Sequence, residues 1–141
     1  MHEKYIDARD CILGRLASII AKRLLNGEKI NVVNAEHVVI SGNPKAVFEI
    51  FKEKVERGDP YHGPFYPRYP DKIFKRVVRG MLPYKKPRGR EALKRLKVYI
   101  SVPENLKEKE FEIIEAAKNR LEHKYTTLGK VAEKIGAKKV W

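Results

Sequence analysis

The chain has 141 residues, 31 Lys and Arg against 18 Asp and Glu, a formal net charge of +13 and a single cysteine, Cys11. That length suffices for one domain burying about two thirds of its unfolded surface around a single core, and a lone cysteine excludes an intrachain disulfide or a CxxC metal knuckle, in keeping with a reducing compartment. Residues 1–10 carry Glu3, Asp7 and Asp10 in place of a basic start and an apolar core, and no run of about 18 apolar residues occurs, so neither export nor membrane spanning is expected and the expected location is the cytoplasm.

Residues 5–8 read as a short strand. From about Asp10 the apolar positions Leu13, Leu16, Ala17, Ile20 and Leu24 then recur at the helical period up to Gly27, which makes a βα unit. Arg15, Ser18 and Lys22 fall on the face away from that stripe, where a solvated surface is the default reading. Residues 30–33 and 37–40 are β-branched runs on either side of Asn34-Ala35-Glu36, and Asn43-Pro44 starts a second helix with an N-cap and a proline at its first position. Val47, Phe48, Phe51 and Val55 form its buried stripe, and Gly58 stops it. The small residues Ser41-Gly42-Asn43 lie between strand and helix, where free amides and the helix dipole suit a phosphate. They read equally well as a plain capped turn, since neither GxGxxG nor GxxxxGK[ST] occurs.

Residues 59–70 form a loop in which Pro60, Pro64, Pro67 and Pro70 exclude regular helix. Its Tyr61, Phe65, Tyr66 and Tyr69, with His62 and Arg68, suit stacking on unpaired bases, although aromatics in such a loop also cap cores. Residues 71–82 have the period of a helix between Pro70 and Pro83, with Phe74, Val77, Val78 and Met81 on one face and Lys72, Lys75, Arg76 and Arg79 on the other. A linker with Pro87 and Gly89, a short helix at residues 90–96 and a strand at 98–102 follow.

Strands alternating with helices predict an α/β layered domain with a mostly parallel sheet of about four strands. The three residues between the second and third strands are too few for a parallel crossover, which leaves the direction of the third strand open. From Glu104 onward the charge is mixed, with a helix-like piece at 111–121 and another at 127–135, started by Thr127 and closed by Gly136. The expected organisation is a single domain over 1–141, with an α/β core at 1–103 and a C-terminal helical appendage at 104–141 packed on it.

Charge is strongly segregated along this chain. Residues 72–97 hold eleven of the 31 Lys and Arg and one acid, Glu91, so that stretch carries +10 of the net +13. A solvated helix face normally alternates signs and forms i,i+4 pairs of Glu with Lys, whereas here no acid follows Asp71 until Glu91. This is the electrostatic footprint of a polyanion-binding face. The histidines His2, His37, His62 and His123 lack metal-ligand spacing, and Cys11 with His37 has no orienting partner, so no metal, cofactor or catalytic group is predicted. The GXXG loop of KH domains and the RNP1 pattern of RRM domains are also absent.

Val77-Val78-Arg79-Gly80-Met81-Leu82-Pro83, followed by Gly89-Arg90 and Leu93-Lys94-Arg95-Leu96-Lys97-Val98-Tyr99, closely resembles the signature of the large-ribosomal-subunit protein family numbered thirteen. Residues 12–18 (Ile12-Leu13-Gly14-Arg15-Leu16-Ala17-Ser18) and Val33-Asn34-Ala35-Glu36 with Ser41-Gly42-Asn43 resemble the same family in the same order, which covers about the first hundred residues. The tail, with Tyr125-Thr126-Thr127-Leu128-Gly129 and Val131-Ala132, looks like the archaeal and eukaryotic branch, and the loop at Asp59 departs from the bacterial form.

The resemblance implies a three-layer α/β/α domain with a structural, non-enzymatic role in the large subunit. It also implies contact with large-subunit ribosomal RNA and neighbouring proteins, and participation early in subunit assembly. For some relatives it brings messenger-RNA binding and translational repression as a secondary role. The expected RNA-binding set is Arg15, Lys22, Ser41, Asn43, Arg68, Tyr69, Lys72, Lys75, Arg76, Arg79, Lys85, Lys86, Arg88, Arg90, Lys94 and Arg95. Rival readings are a free regulator that binds messenger RNA, favoured by purified subunits that lack the protein, and a nucleotide-dependent enzyme with a Rossmann-like core, tested by binding of ATP or NAD.

Overall fold

In the computed structural model, which describes residues 3–57 and 66–141, strands β1 (Glu3–Asp7) and β2 (Lys29–Val33) pair in parallel, Tyr5 opposite Asn31. Parallel neighbours need a crossover, and helix α1 (Leu13–Leu25) supplies it, burying the Leu13, Leu16, Ala17, Ile20 and Leu24 stripe that its period dictates. The helix starts at Leu13 and not near Asp10, because Asp10 is left-handed at φ 59 and Ile12 is extended. Gly27 closes it at φ 96.

β3 (Val39–Ser41) does not join this sheet. After Asn34, at φ 60, the chain passes through a 3-10 turn (Ala35–His37), and β3 pairs antiparallel with β5 (Tyr125–Thr127) in a separate two-stranded ribbon. The short connection that cannot serve a parallel crossover is thus a turn out of the sheet. β4 (Leu96–Val98) takes the place beside β2, in parallel, so the main sheet has three strands in the order β1-β2-β4 and not about four.

The outer edge of β1 is covered by the segment around Glu112, expected as a helix but found extended. The Asp7 N–H donates to the Glu112 carbonyl at 3.1 Å and the Glu112 N–H to the Tyr5 carbonyl at 2.8 Å. An open strand edge offers unpaired donors and acceptors. With Phe111 packed edge-to-face on Tyr5, ring centroids 6.4 Å apart, that edge outcompetes helix, and only a 3-10 turn (Glu115–Ala117) remains.

Helices α2 (Pro44–Glu56), α3 (Pro70–Gly80), α4 (Pro87–Lys94) and α5 (Leu128–Lys134) complete the α/β domain around the parallel sheet. Each of α2, α3 and α4 begins on a proline, whose fixed φ and missing N–H suit the first helical position. For α4 this moves the start back from Arg90 to Pro87, and β4 correspondingly begins at Leu96, before Val98. Leu128, Val131, Ala132 and Ile135 of the C-terminal segment belong to one core with Ile6, Leu16, Ile30, Phe74 and Leu96. No helix among the described residues is long and apolar enough to cross a membrane.

Candidate nucleic-acid interface

The cationic segment folds as a helix, a tight turn and a second helix. On α3, Ile73, Phe74 and Val78 are buried and Val77 is half-buried against the core, while Lys72 stands in solvent. Arg76 lies over the Tyr66 ring at 5.9 Å and Arg79 over the Tyr84 ring at 4.3 Å. An arginine already held over an aromatic ring loses less freedom when its fork meets a phosphate.

Lys75 departs from the expected outward face. Its ammonium donates to the Leu96 carbonyl at 3.0 Å, and burial, with Lys97 adding repulsion, pushes its pKa down. A helical wheel carries the hint, because Lys75 stands only about 60° from buried Val78.

α3 ends at Gly80, and residues 81–86 wind through successive turns: the Leu82 N–H donates to the Arg79 carbonyl, Tyr84 to Leu82 and Lys86 to Pro83, at 3.1, 2.8 and 2.9 Å. Buried Leu82 pegs the turn to the core. Met81, expected in the packed stripe, is 42% exposed, because the helix stops one residue before it. Gly89 seats α4 on the turn so closely that a Cβ there would stand 2.0 Å from the Pro83 carbonyl oxygen. Arg90 donates to the Lys85 carbonyl at 2.9 Å, and Lys85, Lys86, Arg88 and Lys94 are exposed. Arg95 turns inward and donates to the Leu24 carbonyl at 2.5 Å, closing the last turn of α1.

α1 packs against both α3 and α4. Its exposed Arg15, Ser18 and Lys22 thereby join the cationic segment, and a groove of about 360 Å³ runs between α1 and Met81, with Lys22 and Ser18 on its wall. Arg15, Lys22, Lys72, Arg76, Arg79, Lys85, Lys86, Arg88, Arg90 and Lys94 therefore belong to helices and a turn packed on one another.

Ser41, Asn43 and Arg68 belong elsewhere, with α2, α5 and the β3-β5 ribbon. Ser41 pairs opposite Tyr125, the Asn43 side-chain oxygen caps α2 by accepting from the Lys45 N–H at 2.9 Å, and the Gly42 N–H donates to the Lys124 carbonyl at 3.0 Å. Arg68 runs along Gly136 and lines a groove between α2 and α5. Tyr69, half-buried, packs on the core just before α3. The expectations for Gly58, Pro60, Tyr61, His62, Pro64 and Phe65 lie outside the described residues, as does His2.

The ion pairs of the described residues lie outside the cationic segment. Asp7, Glu3, Glu53, Glu104 and Glu115 pair with Arg9, Lys29, Arg57, Lys107 and Arg120, and Arg23 bridges Glu28 and Glu112. Among the described residues, no cation of segment 72–97 takes part in an ion pair. Nor do three His, Cys, Asp or Glu there stand close enough to hold a metal. Cys11 is buried, and that burial pushes its thiol pKa up, as in a core-filling residue.

The roles of Tyr66 and Tyr84 as arginine supports were not legible in the sequence, since the Arg79–Tyr84 contact crosses a helix end where the 3.6-residue period no longer applies.

The family described as Ribosomal protein L13 matches residues 2–105. Over 134 residues the chain is 56% identical to the large ribosomal subunit protein uL13 of Archaeoglobus fulgidus, which covers 93% of this chain and 86% of that one. It is 52% identical to the protein of that name from Methanopyrus kandleri over 135 residues (93% and 85%) and 52% identical to that from Methanosarcina barkeri over 136 residues (94% and 97%).

Proposed function

Because the chain belongs to the ribosomal protein L13 family, in its archaeal form, we propose that it is held in the large ribosomal subunit of the cytoplasm by large-subunit ribosomal RNA, bound on the face that α1, α3, the 81–86 turn and α4 build. The chain is a large-subunit ribosomal protein, and its role is structural and not catalytic. One observation carries the RNA assignment: the segment that holds +10 of the net charge has no ion-paired cation among the described residues, whereas Arg9, Arg23, Lys29, Arg57, Lys107 and Arg120 outside it each pair with an acid. Such a face meets phosphates without first breaking internal pairs. Lys72, Arg76, Arg79, Lys85, Lys86, Arg88, Arg90 and Lys94 contact phosphate, with Arg15 and Lys22 at the flank. Lys75 and Arg95 hold the face together from within.

Contacts of this kind require RNA alone, which suits entry early in subunit assembly. Neighbouring large-subunit proteins are the partners for the faces of balanced charge. The test is a binding titration against large-subunit ribosomal RNA at several salt concentrations. About 6 to 10 phosphate contacts release enough counterions to lower affinity by about 10³ to 10⁵ between 50 and 200 mM salt. A flat response overturns the assignment.

A further inference from the structure

We propose that the groove between α1 and the end of α3 receives one unpaired RNA base, with the ring laid on the Met81 thioether. The proposal rests on the RNA-binding reading above and adds to it a recognition element that charge alone does not supply. Met81 is the exposed apolar side chain in the middle of a segment that carries +10, and it faces Ile19, Ala21 and Leu25 of α1 across the groove. Its position follows from the helix ending at Gly80, which takes Met81 out of the buried stripe and leaves it on the rim.

The polar groups of the groove suit the edges of a base. Ser18 donates its hydroxyl proton to the Arg15 carbonyl at 2.9 Å, so its lone pairs are left to accept from an exocyclic amino group. Lys22, exposed on the same wall, donates to a ring nitrogen or a carbonyl oxygen. The volume of about 360 Å³ equals that of about twelve waters in the liquid, enough for a base with its sugar.

Charge selects the occupant. An apolar side chain of another basic protein would bring cations into a field that is already strongly positive, whereas a nucleotide combines a flat, weakly hydrated ring with phosphates for the cations on either side. Thioethers are polarizable and adapt to such rings. Splayed bases are the usual target of RNA recognition outside duplexes.

The experiment exploits the chain's two methionines, Met1 and Met81. Full-length protein carrying photo-methionine is assembled into large subunits, irradiated, and the RNA mapped by reverse transcription. The expected result is a stop at one unpaired nucleotide that disappears when Met81→Leu protein is used. In parallel, Met81→Ser should weaken binding to large-subunit RNA by up to about tenfold, the upper end for a thioether–ring contact, with the salt slope unchanged because no phosphate contact is lost. Cross-links from position 81 to protein, or none to RNA while wild type still binds with a steep salt slope, overturn the base-binding groove and leave the phosphate face standing. Loss of the salt slope in wild type overturns both.

Discussion

Three residues show how single positions hold this fold. At Gly89 an added Cβ would meet backbone, 2.0 Å from the Pro83 oxygen and 2.7 Å from the Tyr84 nitrogen, so nothing flexible can yield. Gly89→Ala should destabilise by about 3 kcal/mol, the upper end for overpacking, read as a lower melting temperature, and should weaken RNA binding as the turn is displaced. At Asp7 burial pushes the carboxyl pKa up, but the Arg9 N–H, the Asn34 amide and the Arg9 guanidinium more than offset it, and the net value lies below the ordinary 3.8. A depressed pKa means the carboxylate's contribution is complete above about 3.8, the unfolded value, and is lost as pH falls through the folded one. Asp7→Asn should therefore lower stability by about 1 to 2 kcal/mol at pH 7, in the range for hydrogen bonds to charged groups after discounting for partial exposure, and by progressively less toward pH 3 and below. Urea unfolding across that range measures it. Glu36, within the motif that carried the family resemblance, is another structural carboxylate: 2% exposed, it accepts from the Ser101 N–H and hydroxyl and holds Ser101 at φ 55.

At the scale of the element, α3 separates folding from binding. Arg76→Glu with Arg79→Glu removes two ring-supported guanidiniums, each worth about 0.5 to 1 kcal/mol of cation–π contact, so the fold survives while association with large-subunit particles falls sharply. Val78→Asp places an unpaired charge at a buried position and should unfold the protein. Lys75→Met, which trades an inward ammonium for an apolar chain of similar length, should leave RNA affinity within about twofold. Circular dichroism melting paired with co-sedimentation distinguishes the three, and a folded double reversal that co-sediments like wild type would remove α3 from the interface. α1, α2 and α3 were legible in the sequence because local signals agree there: a period of 3.6, the Asn43 cap confirmed by its bond to Lys45, and prolines at helix starts. The third strand and the 111–121 segment were not. Both are decided by partners remote in sequence, Thr127 for Val39 and Ile6 for Glu112, and an extended β-branched run carries no record of which edge it will meet. For the interface, charge segregation located the segment, but which cations turn inward depended on packing: Arg95 reaches α1 across 71 positions of sequence.

For the whole molecule, the described residues after 103 close both strand systems, Glu112 on β1 and β5 on β3, and contribute Leu128, Val131 and Ala132 to the core. A chain ended after Pro103 should therefore lose cooperative unfolding and amide protection in β1 and β3, as measured by hydrogen exchange, despite retaining the whole basic segment. A native-like exchange pattern would show that the first hundred residues suffice. The pairing of β3 with β5 also has a consequence in time. Synthesis runs from the N-terminus, so the edge of β3 and the outer edge of β1 stay open until the last third of the chain has emerged, by which point the strongly basic stretch is already outside the tunnel. Loop closure over so long a separation is slow, and exposed edges beside an unscreened cationic stretch invite aggregation and adventitious polyanions. The nascent chain is thus most vulnerable between the emergence of residue 97 and the emergence of residue 127 from the tunnel, and a chaperone that shields it has to act in that interval.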